Sequence, residues 1–277
     1  MPHMDRETTF AALQRYCAER LGADVAAAFM KLARPGFTLA PAAAGREAGH
    51  SRFGGAPLLT PGTPWPSCGD YPMSLIAVVD TDALAPWLDG VVPPGTGLLN
   101  FFCVDMYSDQ ADGDVYELLD TYWVGSPELG AVVAAPAATA VAVEAPEGAS
   151  VFAAEEWAAT PGFGFPDTWD PANRLDHVGL DPYELLNLFA ERLSDLDQQP
   201  GVVATGDIAF GRPAFPTGGS LCMEKGLDPT AFHHLLQLDG EHEFQIGGEG
   251  GIMHWSIPSS ALAEGDFAKA IPTPDHF

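Results

Sequence analysis

The densest group of chemistry-bearing side chains lies in HHLLQLDGEHEFQIGGEGGIMHWSI, residues 233–257, which holds four of the eight histidines among Asp and Glu. His234, Asp239, His242 and His254, with Glu241 and Glu243 beside them, offer the nitrogen and oxygen ligands that zinc or another divalent ion takes. The spacing argues against a site. If residues 234–239 form a strand, His234 and Leu236 share one face while Leu235, Gln237 and Asp239 take the other. Imidazole and carboxylate then point apart. No His-Glu-x-x-His run or helical i, i+4 pair fixes a ligand set. Surface or turn histidines are the plainer reading, and the metal set His234, Asp239, His242 and His254 stands only as the alternative.

Other chemistry fares no better. In DMYSDQADGDVYELLD (105–120), placing Gly113 at the sixth position of a calcium loop puts Leu119 where the bidentate Glu belongs. An acidic hairpin turn explains that run. Cys222 with His233 or His234 could form a nucleophile–base pair, but nothing local activates the thiol. The clusters GTG, GG and GGEGG lack the helix and Lys of a phosphate loop. Trp65, Trp87, Trp157, Trp169 and Trp255 read as core or its rim. No catalytic residue and no cofactor are expected.

The elements that would position such groups are legible in part. Phe10, Leu13, Cys17, Leu21, Val25, Phe29 and Leu32 recur at helical steps, with Asp5 or Thr8 as cap and Pro35-Gly36 as stop. Residues 40–50 read as a loop. SLIAVVD (74–80), GLLNFFCVD (97–105), ELLDTYWV (117–124) and TAVAVEA (139–145) have strand length between turn residues. Residues 154–165 read as irregular. A second amphipathic helix starts at Asp181, with Leu185, Leu186, Phe189, Leu193 and Leu196 as its buried stripe. Strands in clusters with helices set apart imply an α+β fold with mainly antiparallel sheets.

Two stretches look like copies. Phe53-Gly54, Asp80 and the strand ending at Phe102 have counterparts in Phe210-Gly211, Asp239 and the strand ending at Ile257. The glycine-to-aspartate spacing is 80 − 54 = 26 in one and 239 − 211 = 28 in the other. The expected organisation is an N-terminal helix and linker over 1–50, then one domain over 51–277 with repeat units at about 51–105 and 205–257.

SRFGGAPLLTPGTPWP (51–66), SLIAVVD, PPGTGLLNFF, HLLQLD and GEGGIMHWSIPSSALAEGDFAKA (248–270) together resemble the YwqG-like family, a family of unknown function. Phe53, Gly54, Gly55, Pro57, Trp65 and Pro66 carry the first block; Asp80, Gln237 and Asp239 carry the strand ends. Val78 stands where that family usually has Gln, and Glu249 where it has Asp. The resemblance implies an internally duplicated antiparallel fold and brings no established reaction. Members look like cytosolic companions of secreted toxins, which implies an immunity role.

Composition sets the partner class. Twelve Lys and Arg stand against 38 Asp and Glu, a formal charge of −26. Such a field repels phosphate backbones and anionic lipid, so neither nucleic acid nor membrane is expected as partner. A basic protein or peptide is. Four scattered cysteines without a CxxC read as reduced thiols. With no signal-peptide pattern at the start, the expected place is the cytoplasm. The leading functional expectation is a non-enzymatic binding protein, of an immunity type that neutralises a basic toxin domain. The alternative is a small-molecule or metal-dependent enzyme using the His-rich segment.

Overall fold

The computed structural model describes residues 5–43, 49–105, 126–166, 187–188, 190–214, 228, 231–239, 242 and 252–275. Helix α1 (Arg6–Leu21) starts where Asp5 accepts the Thr8 backbone N–H at 2.9 Å and buries Leu13 and Cys17. The single helix expected to run to Leu32 breaks at Gly22, whose φ of +81° only glycine adopts easily. Helix α2 (Ala23–Met30) then packs Phe29 and Met30 into the core.

The chain continues through β1 (Arg34–Pro41), β2 (Arg52–Phe53), β3 (Leu58–Leu59), β4 (Ser67–Cys68), β5 (Tyr71–Pro72) and β6 (Ser74–Asp80). Helix α3 (Thr81–Leu88), β7 (Leu98–Cys103), β8 (Gly130–Ala135), β9 (Val141–Ala142) and β10 (Glu155–Gly164) follow. The last strands are β11 (Asp207–Phe210), β12 (Phe232–Leu238), β13 (Ile252–Pro258) and β14 (Ile271–Asp275). Ten of them form one antiparallel sheet in the order β14-β13-β12-β11-β1-β10-β2-β6-β7-β8. Its two edges nearly meet. A Cβ on Gly130, at the head of β8, would lie 3.0 Å from the Pro272 ring of β14. The fold is therefore α+β, with a mainly antiparallel, nearly closed barrel-like sheet.

The centre of the sheet corrects the reading of residues 154–165 as irregular. β10 pairs with every residue of β1, from Arg34 with Gly164 to Pro41 with Trp157. Gly36, Gly162 and Gly164 make the segments look like turns, yet they mark crowding. A Cβ on Gly36 would sit 2.6 Å from the Gly211 nitrogen, and one on Gly162 would sit 2.7 Å from the Gly201 carbonyl. Glycine inside a strand here signals close backbone approach.

On either side of this central pair the local geometry repeats. The β6/β7 and β12/β13 ladders each carry a bulge, at Ile76 and Leu235. Both lie four residues before the strand-end aspartate (80 − 76 = 4; 239 − 235 = 4). Aligning on the bulges and following the β2/β6 and β11/β12 pairings superposes Ser51 on Asp207, Gly54 on Phe210 and Gly55 on Gly211. The backbone agrees: φ is 59° at both Gly54 and Phe210, then 75° at Gly55 and 71° at Gly211. Matching Phe53-Gly54 to Phe210-Gly211 by letter is thus one residue off. The left-handed pair sets the match, and the spacings become 80 − 55 = 25 and 239 − 211 = 28.

Both faces of the first half are covered. Phe37, Ile76, Phe101, Trp157, Phe210 and Trp255 join the helices in the main core. Leu59, Met73, Leu75, Val78, Leu98 and Phe102 form a second cluster under β3 and the β4–β5 hairpin. That is why all seven residues of β6 are buried. None of the described helices is long and apolar enough to cross a membrane. The calcium-like turn and the strand expected at 117–124, most of the helix from Asp181, Cys222, Trp169 and the GGEGG run lie outside the described residues.

Candidate functional site

β11 and β12 run antiparallel, so Asp207 at the head of one lies beside Asp239 after the end of the other. The Asp239 backbone N–H donates to Asp207 Oδ1 at 3.1 Å. His242 returns toward the same carboxylate, with Nε2 2.7 Å from Asp207 Oδ2. One potential ligand atom from each of the three residues lies within 4.8 Å of the others. Asp207 is 9% exposed. The His242 ring stacks on Phe53, centroids 4.2 Å apart at 16°, and Phe53 in turn leans on Phe152.

The electrostatics follow from this geometry. Burial alone would lower the His242 pKa, but the hydrogen bond and charge of Asp207, with Asp239 and Glu155, raise it above the ordinary value. Protonation of the imidazole would turn its contact with the buried carboxylate into a charge-assisted one. Such a cluster can hold a cation or a basic side chain.

The four ligands considered from sequence divide into two places. Asp239 and His242 join Asp207, whereas His234 and His254 face each other with ring centroids 6.0 Å apart. The expected alternation fails at His234. The bulge at Leu235 puts His234, paired with Ser256, on the same face as Gln237, paired with His254. Burial lowers the His254 pKa to about 3. Burial, then His254 and Arg34, hold His234 well below its ordinary value. These two rings are neutral and sit in the interior.

Asp207 was not legible as a partner of Asp239. It sits 32 residues earlier (239 − 207 = 32), and only the register brings the two together. The available signal was its equivalence to Ser51, visible once the repeat is aligned on its left-handed pair.

The motif residues have framework roles. The Gly54 N–H donates to the Ile76 carbonyl at 2.7 Å, and that of Gly55 to the Phe152 carbonyl at 3.0 Å. Pro57 precedes β3, and its carbonyl accepts from the Val143 N–H. Trp65 Nε1 donates to the Met73 carbonyl at 2.8 Å, while the Met73 N–H donates to Pro66. The Asp80 carboxylate caps α3 by accepting the Ala83 N–H and also takes the His50 N–H. The Asp80 N–H donates to Ser51 Oγ at 2.9 Å.

Gln237 holds the N–H of Ala214 and the carbonyl of Gly206, each at 2.8 Å. Its counterpart Val78 has no polar group, and sequence reading missed the substitute. Asn100, opposite Val78 on β7, accepts the Leu58 N–H at 2.8 Å and donates to the Leu58 carbonyl at 2.9 Å.

Residues 51–128 match a family described as a domain of unknown function, DUF1963. The matched stretch contains the first half of the sheet from β2 to β7, with Asp80 and Asn100. No curated protein matches the chain.

Proposed function

We propose that the chain is a non-enzymatic, cytoplasmic binding protein whose partner is a basic protein or peptide. The observation that carries this is the charge: 38 acidic against 12 basic residues, −26 in all. A field of that size speeds the approach of a cationic partner and disfavours anionic ones. The stretch from β9 to the head of β10 is the face best suited to it. Glu144, Glu147, Glu155 and Glu156 are exposed there. Val141 and Val151, 47% and 73% exposed, are the large hydrophobic side chains standing out on the described surface. Carboxylates around small apolar contacts fit a basic chain that buries a few aliphatic groups on docking.

The resemblance to the YwqG-like family, together with the domain match over residues 51–128, extends the proposal to an immunity role in which a basic toxin domain is neutralised. Co-expression with the product of the adjacent gene tests it. Rescue of growth, with a complex recovered at micromolar concentration, supports the reading. Failure of both rescue and binding removes it.

A further inference from the structure

We infer that Asp207, Asp239 and His242 form a binding site for one divalent first-row transition ion, with zinc the best match. The inference is independent of any basic partner.

Three things carry it. The first is convergence: ligand atoms from Asp207 at the head of β11, Asp239 just past the end of β12, and His242 lie within 4.8 Å of one another. Ligands around a tetrahedral ion with bonds of about 2 Å sit roughly 3.3 Å apart, so small side-chain rotations complete the set. The second is rigidity. Asp207 is anchored by the Asp239 backbone N–H, and the His242 ring is held flat on Phe53.

The third is an internal control. In the first half, Ser51 Oγ takes the Asp80 N–H just as Asp207 Oδ1 takes that of Asp239. Asp80 itself is occupied in capping α3, and Ala83 stands three residues beyond it where His242 stands beyond Asp239. The equivalent backbone N–H is therefore accepted by a neutral hydroxyl, with Ala83 rather than an imidazole at the position of His242. The framework needs only one acceptor at position 207. The buried carboxylate at 207 brings a second oxygen beyond that one acceptor, and His242 sets an imidazole nitrogen 2.7 Å from it.

The donor set selects the ion. Two carboxylate oxygens and one imidazole nitrogen suit zinc and its neighbours, whereas magnesium and calcium favour oxygen alone. Zinc would replace the His242–Asp207 hydrogen bond, taking Nε2 and Oδ2 and displacing the imidazole proton to solvent. Three protein ligands leave a coordination position for water.

The test is calorimetric titration of the full chain, freed of metal by chelator, with zinc alone, followed by visible absorption with cobalt. Asp207→Ser copies the first half and keeps the backbone acceptor; His242→Phe keeps the stack on Phe53. Wild type should take up a single tight equivalent and show the cobalt bands of a mixed nitrogen–oxygen site. Each variant should bind roughly tenfold or more weakly and lose the bands. No stoichiometric uptake by wild type overturns the site. So does equal binding in His242→Phe, which would assign the metal to surface carboxylates. If Asp207→Ser unfolds, His242→Phe still decides.

Discussion

Asn100 and Gln237 hold equivalent backbone from opposite strands. Asn100 on β7 accepts the N–H of Leu58, which follows Pro57; Gln237 on β12 accepts the N–H of Ala214, which follows Pro213. Leu58 and Ala214 are equivalent once the halves are aligned on their bulges. One half carries its amide on the strand that ends in aspartate, and the other carries it on the neighbour. Both amides are buried, so each must itself be hydrogen-bonded, and each finds its partner in the half-buried backbone after a proline.

Removing either amide should therefore destabilise the fold. Asn100→Ala and Gln237→Ala each take the partner from a half-buried N–H and leave space at a buried amide, at a cost of about 1 kcal/mol or more. The sites belong to different halves, so the double variant should lose the sum. Urea unfolding checks both; a loss confined to one site would break the equivalence.

The left-handed pair predicts an asymmetry. Gly54→Ala puts a side chain at φ 59° and a Cβ 2.5 Å from the Ala153 carbonyl, so it should cost about 1–3 kcal/mol or more. Phe210 holds the same φ because its ring is buried in the main core. Phe210→Gly relieves strain of that same order but loses about 3–5 kcal/mol of packing. Both variants should melt lower than wild type.

Much of this was visible in the sequence, and the failures share a cause. The apolar runs of β6, β7 and β12, the Asp5 cap and Trp65 as core or its rim were legible because each depends on local pattern. β1 and β10 were not, because Pro35, Gly36, Pro161 and Gly162 resemble turn residues until the crowding at the sheet centre is known. The exchange of Asn100 for a glutamine at Val78, and the meeting of Asp207 with Asp239, depend on register between strands. Two bulges set that register, and single residues do not announce them.

Acid should weaken the protein through its interior histidines. His254 and His234 have folded pKa values below the ordinary 6.5, His254 at about 3. Their stabilising contribution is complete above 6.5 and is lost as pH falls toward the folded values, since only the unfolded chain takes up protons in that window. The slope is about 1.4 kcal/mol per pH unit per proton. His242 works in the opposite sense. Its raised pKa contributes below 6.5 and fades as pH climbs through the folded value. Urea midpoints between about pH 7 and about pH 5.5 should fall, and His254→Phe should flatten the fall. An unchanged slope would contradict the assignment.

The described thiols should be inert in the folded state. Burial raises Cys17 to about 11, raises Cys68, and lifts Cys103 well above the usual range. All three are buried and free. Mass spectrometry after brief alkylation at about pH 8 should find them unmodified until denaturant is added.

The central claim is that acidic surface holds a basic partner, and the salt dependence of affinity tests it most directly. The partner recovered from native cells would be titrated into the purified chain at about 50 mM and about 500 mM salt. Tight binding at low salt, about tenfold or more weaker at high salt and weakened again by Glu144→Lys/Glu147→Lys, is the predicted result. An affinity indifferent to both salt and charge reversal would contradict the account.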